Sequence, residues 1–495
     1  MIAVGATGID LRGAALAERR LDRYGSVQVM ASSGIGYEIT RGGNQRRHYG
    51  FVTGRTASAD RHLTSTTLGR LRETCRMYDR ESTLFGGLVD RALDNIFGAN
   101  FDFVPRTGEK ALDQRVKAYI ATRMDKRYCD ASRTRHFADL ARTALRGVWV
   151  DGDSLWAQRS DGSVLAFEAD QVVTPSGGGG DKRIVLGVEL DECNAPRAYH
   201  VQQRRTKSDH GGLLDTDRNT RRVAAGYGWL PAYRTRYHQT RGVPFLARVL
   251  SFYDRLHNYI DYESLAAEIN SMLGWKIVKN GTTDDWPGVA DNDEASNDTF
   301  EKVQKMEPGQ VFDLRPGEDV DMIGSSRPGS AFDAYILMAC RIIGVAIGMP
   351  LELVLLDFSR TNYSSARASL GEARRMFRTW QRFAEVEFCM PWYRWQIARG
   401  VASGVLPADA AVFGARCQWP AWEYIDPLKE AQGNAVAIST ATKSISECIR
   451  ERGQEPAEVR EELKRDVEWL REVGIALPTV HIKVEPENQS ESEAA

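Results

Sequence analysis

The feature that most constrains the fold is an apolar stretch from Phe332 to Phe358, the least polar part of the chain. Asp333, Arg341 and Pro350 interrupt it before an unbroken run of about 18 residues accumulates, so a membrane span does not fit. The stretch is too apolar for a helix with one wet face. It predicts a helix at 331–348 buried on several sides, as in an oligomer core. Pro350 sets its end, because the residue before a proline is pushed out of helical geometry.

A second long helix is predicted upstream. Arg241-Gly242-Val243-Pro244 opens it, with proline near the first turn. Leu246, Val249, Leu256, Ile260, Leu265, Ile269 and Met272 then recur at three- and four-residue steps, with one skip. Taken to Leu273, about thirty residues span roughly 45 Å, long for a globular helix. Between the two helices, residues 276–330 lose periodicity and gain Gly, Asp, Asn and Pro. They predict a small protruding subdomain with a short helix at 295–306 and two or three short strands. After Pro350, a loop at 349–363 leads into a helix over about 362–390, interrupted at Pro391. Ala366, Leu370, Ala373, Phe377, Trp380 and Phe383 form its apolar stripe.

Residues 1–60, rich in Gly, Ser and Arg, predict an extended arm. Helical periodicity covers 65–95, through Leu68, Leu71, Cys75, Met77, Leu84, Leu88 and Leu93, and again about 112–145. Between Gly147 and His238 the period changes to two. VWVDGDSLWAQRSDGSVLAFEA alternates in strand fashion around two Asp-Gly turns, Asp151-Gly152 and Asp161-Gly162. Asp426-Pro427 begins a helical C-terminal region that runs to about Gly474, with Gly453 as the break between helices. An acidic tail follows. The fold class is therefore α+β and mostly helical.

Charge limits the function. The chain carries 65 basic and 67 acidic residues, a net charge of −2. Tight DNA binders draw affinity from phosphate neutralisation and show a basic excess, so any DNA contact here is local or weak. The seven cysteines, at 75, 129, 193, 340, 389, 417 and 448, include no C-x-x-C or zinc-ribbon spacing. They read as buried free thiols in a reducing compartment. The N-terminal MIAVGATGIDLRG lacks a basic segment followed by an apolar one and does not read as a signal peptide.

No catalytic centre is visible. Gly177–Gly180 precedes Asp-Lys-Arg, not Gly-Lys-Ser/Thr, and reads as a strand connection instead of a phosphate loop. Asp284, Asp285, Asp291, Asp293 and Glu294 do not fit the EF-hand spacing. Asp151 and Asp153 admit two readings: a pair holding a divalent cation in a metal-dependent nuclease, or carboxylates flanking a turn glycine. Arg367, Arg374, Arg378 and Arg382 line one face of the helix after 362. They suit a neighbouring subunit, a phosphate, or local pairing with Glu372, Glu385 and Glu387. In Arg360-Thr361-Asn362-Tyr363, Asn362 or Ser364 serves equally well as a helix N-cap.

One segment goes further. Asp357-Phe358-Ser359-Arg360-Thr361-Asn362-Tyr363-Ser364-Ser365-Ala366-Arg367 closely resembles the most characteristic motif of lambda-family phage portal proteins. Ile342-Ile343-Gly344 through Gly348-Met349-Pro350 precedes it, as the family's apolar helix and turn do. Other blocks follow in order: Leu68-Gly69-Arg70-Leu71-Arg72, Gly187-Val188-Glu189-Leu190-Asp191, Arg197-Ala198-Tyr199-His200, Arg241 to Pro244, Pro316-Gly317-Glu318, and Asp426 to Glu430. The resemblance spans roughly 59–475. Arg80-Glu81-Ser82 and Ile96-Phe97-Gly98-Ala99-Asn100 depart from the family pattern.

The resemblance implies a portal fold and a ring, usually of twelve subunits, at a capsid vertex, with no enzymatic activity and no cofactor. After an N-terminal arm (1–60), it divides the chain into a wing (61–242), a stem helix (243–275), a clip (276–330), a second stem helix (331–348), a tunnel loop (349–363), a wing helix and the segment following it (364–425), a crown-like helical region (426–482) and a disordered acidic tail (483–495). Asp357, Ser359, Arg360, Thr361, Asn362 and Tyr363 would face the DNA channel. Arg341, Arg367, Arg374, Arg378 and Arg382 are candidates for the subunit interface. The implied partners are further copies of the chain, double-stranded DNA in transit, the terminase large subunit, the major capsid protein and head-completion or tail-connector proteins. No membrane partner is implied. The implied location is the virion, after assembly in the host cytoplasm.

Overall fold

The computed structural model describes residues 58–98, 101–175, 183–202, 220–271, 274–279, 318–323, 332–359, 361–422 and 426–474. The expected arm (save its last residues), the short helix at 295–306 and the acidic tail lie outside them. The chain forms two compact units, Phe252–Cys340 and the remainder, with the division falling inside two long helices.

The larger unit opens with α1 (Ala59–His62), α2 (Ser65–Glu81) and α3 (Thr83–Phe97). Ser82 both ends α2 and caps α3, its side chain accepting from Phe85 N–H at 3.1 Å. One helical stretch thus becomes two. Strand β1 (Asp102–Pro105) is followed by α4 (Lys110–Met124), α5 (Lys126–Cys129) and α6 (Phe137–Val150).

Helix α6 corrects one expectation. Val148, Trp149 and Val150 end a helix instead of opening a strand, and all three are buried. The first Asp-Gly pair is accordingly a helix terminus, with Gly152 at φ +94°. A Cβ on Gly152 would meet Val243 backbone at 2.6 Å, so the position requires glycine. The second pair does form a hairpin turn, between β2 (Ser154–Gln158) and β3 (Val164–Glu168).

The β-rich segment makes two antiparallel sheets. One has the order β3-β2-β8; the other runs β4-β5-β6-β7, with β4 Ile184–Val185, β5 Val188–Leu190, β6 Pro196–Gln202, β7 Thr220–Ala224 and β8 Gly228–Trp229. Leu155, Phe167, Val188, Tyr199, Val201 and Leu230 close the core between them.

The long helix α7 (Ala247–Ser271) has 25 residues, about 38 Å, starting three residues after Pro244. It passes into the smaller unit. There β9 (Gly274–Lys279) and β10 (Glu318–Ile323) pair antiparallel, and α8 (Phe332–Ile347) returns. Tyr259 packs on Tyr335 at 4.4 Å and on Phe332 at 5.8 Å between ring centroids, holding the two helices side by side.

Back in the larger unit, the expected loop at 349–363 contains a short helix, α9 (Leu351–Leu355), which Pro350 starts and left-handed Leu356 ends. Helix α10 (Tyr363–Ala384) follows. Pro391 does not stop the run. A π-turn at Glu385–Cys389 precedes it, and α11 (Met390–Ala402) continues with Pro391 in its first turn. The widened turn accommodates a residue that has no N–H to donate and whose ring crowds the preceding turn. Strand β11 (Ala415–Gln418) pairs with β1. Helices α12 (Pro427–Ser439), α13 (Ile445–Glu451) and α14 (Pro456–Val473) end the described chain, and Gly453 at φ +71° lies between the last two.

Aromatic residues fasten α10 and α11 to α6 and to the segment before α7. Phe137 stacks on Trp392 at 3.9 Å, and Trp149, Phe245 and Trp380 form a triangle with centroids 4.8–5.2 Å apart. Among the described residues, no helix is long and apolar enough to cross a membrane.

Candidate functional site

The loop singled out by sequence follows α8 directly. Gly348 and Met349 N–H both return to Gly344 O, closing the helix, and Pro350 turns the chain into α9. Past Leu356 the chain is held by short-range bonds. Asp357 accepts from Ser359 N–H at 2.9 Å and from Ser359 Oγ at 2.5 Å. Thr361 donates through N–H and Oγ1 to Phe358 O, and Asn362 caps α10 by accepting from Ser365 N–H at 2.8 Å. The loop is exposed, as Leu356 at 56% and Phe358 at 42% indicate. Arg360 and the Tyr363 side chain lie outside the described residues. Asp357, Ser359, Thr361 and Asn362 are thus brought together, each with a local structural bond.

The arginines on α10 do not form one free stripe. Arg374 and Arg378 lie over the Trp422 ring, 5.8 and 5.5 Å from its centroid, and Trp422 Nε1 donates to Asn95 O. Burial holds the Arg374 guanidinium below its ordinary value, with Glu430 opposing and Arg378 adding to the shift. Arg382 pairs with Glu385 at 3.2 Å, while Glu372 pairs with Arg375, which is not part of the stripe. Arg367 on α10 and Arg341 on α8 are exposed. Nothing local in the sequence marks Trp422 as a platform, since 44 and 48 residues separate it from Arg378 and Arg374.

Asp151 and Asp153 sit in a network with arginine, and the geometry excludes the two-carboxylate metal site. Arg241 grips Asp153 with both Nε and Nη2, at 2.7 and 2.8 Å, while Gly242 N–H donates at 2.8 Å and Arg72 at 3.2 Å. Arg241 also donates to the carbonyls of Ala169, Val172 and Leu186. Asp153 is 0% and Arg241 1% exposed. Asp151 is bound by Arg76 through two bonds, at 2.7 and 2.9 Å. Burial pushes the Asp153 carboxyl up, but Arg241, Arg72 and the Gly242 N–H outweigh it and leave it below the ordinary range. Neither carboxylate faces a metal-binding partner set, and no group of three or more metal-ligating side chains occurs among the described residues.

The chain belongs to the lambda family of phage portal proteins, whose model matches residues 45–381. It is 24% identical over 334 residues to a probable portal protein of Halomonas phage phiHAP-1, covering 63% of this chain and 62% of that one. It is 25% identical over 190 residues to portal protein B of Escherichia phage lambda, covering 36% and 34%. The matched region therefore spans less than two thirds of either relative. Among solved structures, it is similar to a chain in the neck of an empty gene transfer agent particle. That match has a TM-score of 0.47 and 16% identity, over 78% of this chain and 93% of that one. A chain of the native gene transfer agent virion matches at TM-score 0.44 and 15% identity, with the same coverage.

Proposed function

We propose that the chain is a portal subunit, one of twelve copies in a ring at a capsid vertex through which double-stranded DNA is packaged and ejected. The observation that carries this reading is the open apolar side of α8. Met338, Ile342 and Val345, at steps of four and three, are 52%, 41% and 84% exposed, and the exposed Leu356 and Phe358 follow. Copies arranged around a rotation axis supply the neighbours such a side needs. A net charge of −2 suits a conduit, because strong phosphate binding would stall the passage of DNA.

In this reading, 61–242 and 364–425 form the wing, 243–275 and 331–348 the stem, and 349–363 the tunnel loop, with Asp357 to Tyr363 facing DNA. The segment 276–330 is the clip, which docks the terminase large subunit and later the head-completion proteins. Residues 426–482 form the crown, facing the capsid interior, and the major capsid protein surrounds the ring. Arg341, Arg367, Arg378 and Arg382, with the half-buried Arg374, lie toward the subunit seam. The ring carries no chemistry of its own; ATP hydrolysis and DNA cleavage belong to the terminase. Native mass measurement and particle images test this: closed rings with a central hole are expected. A stable monomer at micromolar concentration would sink it.

A further inference from the structure

Two of the seven cysteines meet in the core, where α11 packs on the β1–β11 pair. Cys389 ends the π-turn before Pro391, and Cys417 is the third residue of β11. In the antiparallel register Cys417 lies opposite Phe103 of β1, and opposite residues put their side chains on the same face of a sheet. The Phe103 ring lies 5.8 Å from the Trp392 ring and 5.2 Å from the Tyr393 ring, one turn beyond Cys389. The Cys417 side chain is therefore directed at the turn that carries Cys389, and the two thiols meet there. Tyr393 Oη also donates to Val412 O at 3.1 Å, which ties α11 to the segment leading into β11.

Both residues are free and buried, Cys389 at 0% and Cys417 at 8% exposed. Burial pushes the Cys389 thiol well up, and Cys417 beside it adds to the shift, so Cys389 rests as a neutral thiol. The buried Cys129 is placed differently: its thiol donates to a carbonyl, Arg135 O, at 3.3 Å.

We infer that Cys389 and Cys417 form a redox site: two packed thiols when reduced, and when oxidised a disulfide that staples the π-turn to β11. The co-reactant is a small-molecule disulfide. The sulfur of Cys417, the more exposed of the two, attacks as the thiolate, forming a mixed disulfide and releasing one half of the reagent. Cys389 then loses its proton to solvent, its sulfur attacks that of Cys417, and the second half leaves. The two halves take up the two protons lost, so two protein thiols and one small disulfide become one protein disulfide and two small thiols. The neutral state of Cys389 makes the second attack slow near neutral pH and faster as pH rises. The bond closes a loop of about 30 residues, which restricts the unfolded chain and so stabilises the folded one. The inference does not depend on the ring reading above.

The test uses folded, full-length wild-type chain incubated with cystamine, then blocked with iodoacetamide and digested with trypsin without reductant. Residues 383–394 and 417–429 are single-cysteine tryptic peptides, and their disulfide-linked pair is the expected product in the mass spectrum. It should form several-fold faster at about pH 8.5 than at about pH 7. The linked chain should unfold at a midpoint a few degrees higher, and dithiothreitol should reverse both changes. Cys389→Ala should lose the linked peptide and the gain in midpoint together. Chain in which the exposed Cys193 is converted while Cys389 and Cys417 stay free would overturn the redox site. A linked pair that forms only in urea would overturn it too, because the folded contact would then play no part. A link that leaves the midpoint unchanged would overturn the staple.

Discussion

Asp153 and Arg241 share two charge-assisted bonds while both are buried, and each depends on the other to compensate its charge. Asp153→Ala leaves Arg241 and Arg72 buried and uncompensated. It should cost about 3–5 kcal/mol of stability, read as a fall in the urea midpoint with unchanged m-value. The same carboxylate shapes the acid limb of stability. Its folded-state pKa lies below the unfolded value of about 3.9, so its contribution is present above that pH and is lost as pH falls through the folded value. Stability should therefore drop more steeply below about pH 4 in the wild type than in Asp153→Asn. Equal slopes would show that Asp153 is not the group responsible. The sequence displayed Asp151 and Asp153 flanking a glycine, which fits a turn or a metal pair alike. It could not display Arg72 and Arg241, 81 and 88 residues away.

Among the elements, the apolar helix was legible almost to the residue, from 331–348 expected to Phe332–Ile347 observed. Composition and Pro350 act locally, and both are visible in one dimension. Its open side was not legible, because which face of a mostly apolar helix stays uncovered depends on what packs against the rest. Ile342→Asp with Val345→Asp should abolish ring formation in native mass measurement. The thermal unfolding of the unassembled chain should move by no more than about 0.5 kcal/mol per site, as expected of exposed positions. Intact rings from this variant would sever α8 from the subunit contact. The π-turn before Pro391 and the end of α6 were misread for a related reason. A proline inside a helical pattern and a Val-Trp-Val run each have two local solutions, and burial among Phe245, Trp380 and Phe388 accompanies the one adopted.

For the whole molecule, the proposed portal reading draws on a net charge of −2 and on the exposed Leu356 and Phe358 after α8, which suit a conduit better than a tight DNA binder. Arg360→Ala or Tyr363→Ala should reduce genome packaging or retention in assembled particles and leave ring mass unchanged. Normal genome yield from both would remove the tunnel-loop assignment. By itself the sequence determined the α+β class, the long helix after Pro244, the hairpin around Asp161-Gly162, the apolar helix and the motif at 357–367 that carries the family resemblance. These rest on periodicity, proline and glycine punctuation and a contiguous motif, all of which act over a few residues. Only the tertiary structure decided that Arg374 and Arg378 stack on Trp422, that Asp153 is closed off by two arginines, and that α14 is tethered through Arg416, Lys117 and Lys110. Each of those pairings joins residues tens to hundreds of positions apart. Charge and aromatic type make them possible; which partner wins is set by how the packed elements bring distant side chains within a few ångströms.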